Sequence, residues 1–395
     1  MGQSVDTHLE REFLEAVQDR LPVAGWTHNF YRYPARFSPR FAAAAIARYS
    51  RPGDLILDPY MGGGTTVVEG LVAGRRVVGN DLNALAAFIV KVKTTLLNAS
   101  EVRALKRWAN HAVPHFSYWT PRRSLMPFVD AQKTRNLTLV RARFIKKAIA
   151  AGLASIEDLP TMTAQNFAKC TMLRVGQWAL DGREKHTSLP EFRSKLSYFT
   201  HEMLESMRLL SSRAGNTRGA VTILNQDAAN LDSSVLFQNR ECKPSLVVTS
   251  PPYPGVHVLY HRWQVDGRRE TPAPYWITGC NDGQGASFYN FGDRRQAASD
   301  NYFRTSLVTL KAIRRVLRDG GYMIQLVAFN KPEEQLSRYL ENMEAAGFSE
   351  VSSSGVAIRD HEQRIWRDVP NRKWHATLNG KTHSAREVVL VHRAA

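Results

Sequence analysis

Short, largely apolar runs punctuate the chain at DLILDPY (54–60), RRVVGND (75–81), AVTILNQD (220–227), PSLVVTS (244–250), GGYMIQLVAF (320–329) and REVVLVHR (386–393). Their apolar positions are mostly consecutive rather than alternating with polar ones, so they predict strands buried on both faces. Between them lie segments with helical spacing: FAAAAIARY (41–49), TTVVEGLVAG (65–74), ALAAFIVKV (84–92), YFRTSLVTLKAIRRVL (302–317) and EEQLSRYLENMEAAG (333–347). Ser38 followed by Pro39 is a capping and first-turn pair for the first of these helices. Strand and helix alternate, which predicts an α/β fold around a mainly parallel sheet.

One interruption breaks the alternation. More than a hundred residues separate the second strand from the third, too many for a crossover, and they carry basic helical patterns at VRALKRWANHAV, LVRARFIKKAIAAGL and FRSKLSYFTHEMLESMRLL. The expected organisation is therefore a core in two parts, 1–94 and 220–395, with a mostly helical subdomain at 95–219. Residues 254–298, dense in Gly, Pro, Asn and aromatics, read as a long functional loop.

Composition sharpens this picture. The 395 residues are 43% hydrophobic and 23% charged, ordinary values for a folded globular chain. The net charge of +17 is uneven: residues 95–220 hold 20 basic against 9 acidic side chains. Such a segment suits an extended polyanion, DNA or RNA, although a solvated surface has the same composition. Three well-separated cysteines, Cys170, Cys242 and Cys280, predict a reducing cytoplasm and no structural zinc. No apolar run has the length of a membrane span, and the first residues lack a secretory pattern.

The chemistry concentrates at two strand ends. The first strand leads into Asp58-Pro59-Tyr60-Met61-Gly62-Gly63-Gly64-Thr65-Thr66 and then a helix. Three glycines allow a sharp turn and close approach at the carboxyl edge of the sheet, where open α/β folds bind ligands. The loop fits neither a phosphate loop, lacking Gly-Lys-Ser/Thr, nor a dinucleotide fingerprint, having Val67 at the third glycine position. An acid at the tip suits a cation, and Asp58 is expected to pair with the amino group of S-adenosyl-L-methionine (SAM). Asp81, at the next strand tip, is placed to accept ribose hydroxyls, or else caps the following helix. Asp227, after the third strand, is expected near the adenine, with a turn-and-cap role as its alternative.

The fourth strand runs into Thr249-Ser250-Pro251-Pro252-Tyr253. Two prolines force the chain out of the sheet in a stiff, extended form with exposed carbonyls. An exocyclic amine is a poor nucleophile, and acceptors on its hydrogens favour a tetrahedral nitrogen. Ser250 Oγ and the Pro251 carbonyl are the expected acceptors, and Tyr253 offers a stacking face.

DPYMGGGTT followed by TSPPY resembles the amino-methylating DNA methyltransferases, with their DPFxGSGTT-like cofactor loop and (S/N/D)PPY catalytic loop. HNFYRYPARFSPRF, at 28–41, is similar to the H-x-YPA(K/R)F element that precedes that loop and helps to line the methionine pocket. The resemblance implies a Rossmann-like SAM-dependent methyltransferase sheet with an antiparallel C-terminal strand. It implies a cofactor site at His28, Phe37, Asp58, Pro59, Gly62, Gly64, Thr65, Asp81 and Asp227, a catalytic turn at Ser250, Pro251, Pro252 and Tyr253, and no metal. Serine at the head of SPPY is typical of cytosine-N4 enzymes, with adenine-N6 methylation of DNA and RNA methylation as alternatives. The implied partners are double-stranded DNA with its target base flipped and a cognate restriction or defence system, placing the protein on the nucleoid; a non-catalytic nucleic-acid binder is the competing class. The order of motifs implies that the basic insertion recognises the target. Trp276, Phe288 and Tyr289 are expected pocket aromatics, and Arg262, Arg268 and Arg269 phosphate or guanine contacts. No cysteine follows proline, as a cytosine-C5 nucleophile would.

Overall fold

The computed structural model describes residues 2–33, 36–117, 119–183, 187–215, 219–239, 242–254, 262–265, 269–283, 291, 296–329, 331–353, 364–368 and 386–395. Its strands, in chain order, are β1 (Leu55–Asp58), β2 (Arg76–Asn80), β3 (Val221–Leu224), β4 (Leu246–Thr249), β5 (Trp263–Val265), β6 (Arg269–Thr271), β7 (Tyr322–Val327), β8 (Phe348–Glu350), β9 (Ile365–Asp368) and β10 (Arg386–Ala394). Eight of them form one sheet in the order β3-β2-β1-β4-β7-β10-β8, with β9 also on β10. The pairs from β3 to β7 are parallel and every pair made by β10 is antiparallel. All six strands expected from the apolar runs are present, and β10 supplies the antiparallel closing strand. β8 and β9 add to the expectation, as does the β5-β6 ribbon within a region read as loop.

Both faces of the sheet are covered, which explains why its strands are apolar at successive positions. Ile56, Val77, Val248 and Ile324 point to one side, against Phe13 and Val17 of α1 (Gly2–Val17) and Phe41 and Ile46 of α2 (Pro39–Tyr49). Leu57, Val78, Val247 and Met323 point to the other, beneath helices spanning Gln296–Val316 and Pro332–Ala345. Ser38 caps α2 as expected, accepting the Arg40 N–H at 3.1 Å. Next come α3 (Thr65–Val72) and α4 (Ala84–Thr94), which carry the chain through the first crossovers.

The long interruption is helical, its main helices being Ala99–Arg107, Val140–Ile156, Met162–Leu180 and Leu189–Ala214. Its apolar faces share one cluster with Val68 and Leu71 of α3, Ile89 of α4, and Trp263, Tyr275 and Ile277 from the long loop. The LRVGQWALDG stretch lies largely in that packing, with Leu173, Val175, Gly176, Ala179 and Leu180 buried. Among the described residues, no helix is long and apolar enough to cross a membrane.

Candidate active site

β1 and β4 are adjacent and parallel, so the glycine loop and the SPPY turn leave the same edge of the sheet. A side-chain bond ties them together: Thr249 Oγ1 donates to Asp58 Oδ1 at 2.6 Å. Thr66, in the first turn of α3, adds a second tie by donating to the Val248 carbonyl at 2.9 Å.

The loop's shape is set by its neighbours. Gly62 and Gly64 have φ of 46° and 75°, left-handed values that favour glycine. A Cβ on Gly62 would lie 3.2 Å from Tyr33 Cε1, and one on Gly63 would lie 2.9 Å from Arg36 Cδ. At Gly64 it would lie 2.6 Å from Val90 Cγ2. The glycines thus admit the protein's own side chains as well as a sharp turn. Gly64→Ala combines positive φ with a clash against buried Val90, and is expected to destabilise the fold by about 2–3 kcal/mol in denaturant melts. A loss below ~0.5 kcal/mol would contradict this account of the loop.

Asp58 is fully buried. Its Oδ1 accepts from Thr249 and from the Tyr60 N–H at 3.2 Å, while Oδ2 is buried with no hydrogen-bond partner. Desolvation pushes its carboxyl up to about 7, against the opposing pull of the Thr249 and Thr66 hydroxyls and the Tyr60 N–H. Asp81 is half-buried at the neighbouring tip, with Oδ2 accepting the Gly62 N–H and Oδ1 the Asn83 N–H, both at 2.8 Å. Burial pushes it up to about 6. Each of its oxygens keeps a further lone pair. Pro59 and Thr65 are buried within the loop.

The other expected cofactor residues are more peripheral. His28 is buried, its Nε2 2.7 Å from Glu69 Oε1 and its Nδ1 without a partner. Burial lowers its pKa. It braces the segment beside the loop from within. Phe37 is half-buried and packs edge-on against Phe41, ring centroids 5.7 Å apart. Asp227 is exposed and accepts the Ala229 N–H at 2.9 Å, capping the short helix Ala228–Ser233.

At the SPPY turn, Ser250 Oγ donates to the Leu326 carbonyl at 3.0 Å and lies 2.8 Å from Tyr253 Oη. Tyr253 Oη in turn donates to Glu387 Oε1 at 2.8 Å. The Pro252 carbonyl accepts from Tyr302 Oη at 2.9 Å and is therefore already engaged.

Several loop residues have other duties. Trp276 is 6% exposed and donates to the Phe128 carbonyl at 2.7 Å, a packing anchor instead of a pocket aromatic. Arg262 pairs with Asp282 at 3.0 Å and Glu270 at 3.6 Å, so its charge is already met. Arg269 is exposed on β6. Phe288, Tyr289 and Arg268 lie outside the described residues.

Two residues escaped the sequence reading. Lys93, on α4, is fully buried and donates to the Gly63 carbonyl at 2.6 Å. Desolvation, with Arg36 nearby, lowers its ammonium to about 7. A lysine on a helix reads as a solvated charge, and nothing in its local pattern signals otherwise. Glu387 likewise looks like the solvated polar start of its strand, but it is buried.

This donor set fits a cationic nucleoside. The orphaned Asp58 Oδ2 and the acid at the Asp81 tip flank a loop of tight turns. Residues 13–91 match the profile of a family described as DNA methylase, N6_N4_Mtase. The type II methyltransferase M.MvaI of Kocuria varians is 32% identical over 108 residues, covering 25% of this chain and 24% of that protein. The type II methyltransferase M.MjaII of Methanocaldococcus jannaschii is 31% identical over 80 residues, 20% of this chain and 14% of the relative. The chain therefore matches about a quarter or less of the length of these curated relatives. Among solved structures, the rRNA methyltransferase aviRa from Streptomyces viridochromogenes aligns with a TM-score of 0.35 and 13% identity, covering 92% of this chain and 89% of that one.

Proposed function

We propose that the chain, whose residues 13–91 match the DNA methylase family profile, is an amino-methylating DNA methyltransferase that moves the methyl group of SAM to the exocyclic N4 amine of a cytosine flipped out of duplex DNA. The observation that carries this reading is the 2.6 Å bond between Thr249 and Asp58, which locks a cofactor-type loop to an amine-binding turn at adjacent strand ends. SAM supplies an electrophilic methyl group on a positively charged sulfur. Asp58 and Asp81 would hold its amino and ribose groups, and Ser250 Oγ and the Pro251 carbonyl would accept the amine hydrogens. Positioning then provides most of the catalysis. His28 and Phe37 would support the methionine side of the bound cofactor, and Asp227 would meet its adenine.

Asp81→Ala removes the ribose acceptor and is expected to weaken SAM binding about tenfold or more by calorimetry. An unchanged Kd would take Asp81 out of that role.

The insertion, 95–219, is proposed as the target-recognition region. Arg103, Lys106, Arg107, Arg123, Arg135 and Arg143 are exposed on it. Neutralising four of these should reduce the slope of log affinity against log salt concentration by about 0.9 per lost phosphate contact. A slope that stays put would relocate the interface.

Expression in a host without DNA methylation, followed by nucleoside analysis of its DNA and RNA, tests the assignment. N4-methylcytosine in DNA is expected. N6-methyladenine would keep the reaction and change the base, and modified RNA alone would overturn the DNA assignment.

A further inference from the structure

A chain of oxygen contacts runs from the SPPY turn into the sheet: Leu326 O to Ser250 Oγ at 3.0 Å, Ser250 Oγ to Tyr253 Oη at 2.8 Å, and Tyr253 Oη to Glu387 Oε1 at 2.8 Å. Glu387, 6% exposed on β10, faces its register partner Arg367 on β9, whose Nε lies 3.0 Å from Oε2. Arg367 also donates to the Val17 carbonyl of α1 at 3.3 Å. Tyr253 from the turn and Arg367 from the neighbouring strand are the titratable or charged groups seen to meet Glu387 among the described residues.

Two hydroxyls bring two protons to these three contacts. With Glu387 ionised, Tyr253 donates to the carboxylate and Ser250 to Tyr253, and the Leu326 carbonyl receives nothing from Ser250. With one further proton on Glu387, every contact is filled: Glu387 donates to Tyr253, Tyr253 to Ser250, and Ser250 to Leu326. The two settings of these three contacts differ by a single proton.

We infer that Glu387 ends a proton relay, through Tyr253 and Ser250, that receives the proton a methylated exocyclic amine must lose. This rests on the methyl-transfer reading above. As the nitrogen–carbon bond forms, the sulfonium carbon–sulfur bond breaks and its electron pair stays on sulfur. The nitrogen then carries one proton too many and gives it to Ser250 Oγ. Ser250 passes its own proton to Tyr253, and Tyr253 passes its own to Glu387. A sulfonium and a carboxylate become a thioether and a carboxylic acid, so charge balances, and the acid returns its proton to water between turnovers. Glu387 touches neither base nor cofactor; it is a positioning residue for the hydroxyl pair and the destination of the proton.

The test is the single-turnover rate of methyl transfer from labelled SAM to duplex DNA across pH, for the wild type, Glu387→Gln and Tyr253→Phe, with SAM affinity as a check on folding. Glutamine keeps an acceptor for Tyr253 but takes no proton. The expected result is a rate about 10- to 100-fold lower with SAM affinity retained, and loss of the fall in rate that the wild type shows toward acid pH. Tyr253→Phe, which leaves Glu387 beside Arg367, should lose the rate to a similar extent. Asp58 titrates in all three proteins, so only the limb that Glu387→Gln removes is diagnostic. A Glu387→Gln rate equal to wild type overturns the relay, and so does a lower rate with the wild-type pH profile, which marks positioning alone. No transfer by the wild type overturns the methyl-transfer reading, and the relay falls with it.

Discussion

Ser250→Ala is expected to lower the single-turnover rate of methyl transfer about 100- to 1,000-fold while SAM affinity changes less than about twofold. The hydroxyl is the side-chain acceptor proposed for the amine, and it also joins Tyr253 to the Leu326 carbonyl. Loss of one preorganised polar partner of a developing charge costs about this much in other active sites. The backbone of the turn should survive, because its stiffness comes from Pro251 and Pro252 and from Tyr302 holding the Pro252 carbonyl. Quench-flow rates and calorimetry separate the two effects. A rate within about threefold of wild type would remove Ser250 from catalysis.

Asp58→Asn should pull stability and function apart. Asn Oδ1 can still accept from Thr249 and Tyr60, but the negative charge proposed to meet the SAM amino group is gone. SAM affinity should fall about tenfold or more. Stability should respond in the opposite sense. Burial lifts the folded carboxyl from its ordinary 3.8 to about 7, so the folded chain keeps its proton after the unfolded chain has released it. The wild type therefore loses stability as pH rises from about 4 to 7. Relative to the wild type, Asp58→Asn should gain on the order of 2–4 kcal/mol between pH 4 and pH 8. Lys93, lowered to about 7, gives both proteins added stability as pH rises from there toward its unfolded value, and it cancels in the comparison. Melts at the two pH values check this; a stability difference that does not move with pH would contradict the buried, costly charge.

The sheet was legible because each main strand is covered on both faces, and double coverage writes consecutive apolar residues into the sequence. β8 and β9 carry no such signature. They are three and four residues long, and are held by pairing along the outer edge of β10. Their existence is decided by a partner distant in sequence.

The site divides in the same way. Asp58, the glycines, Asp81 and Ser250 lie at strand ends, where a local turn announces them. Glu387 stands 134 positions from Tyr253, and Lys93 stands 30 from Gly63. Each is polar only because a distant backbone or hydroxyl needs it, which no local periodicity records. The glycines show a subtler limit: the run predicts a tight loop, but that Tyr33, Arg36 and Val90 press against it emerges only from the packed structure.

The most direct measurement is a crystal structure with S-adenosylhomocysteine bound. Its ribose is expected at Asp81 and its sulfur facing Ser250 Oγ and the Pro251 carbonyl across a gap the width of one amine. A ligand seated away from the β1 and β4 ends, or with its sulfur turned from the SPPY turn, would contradict the proposed site.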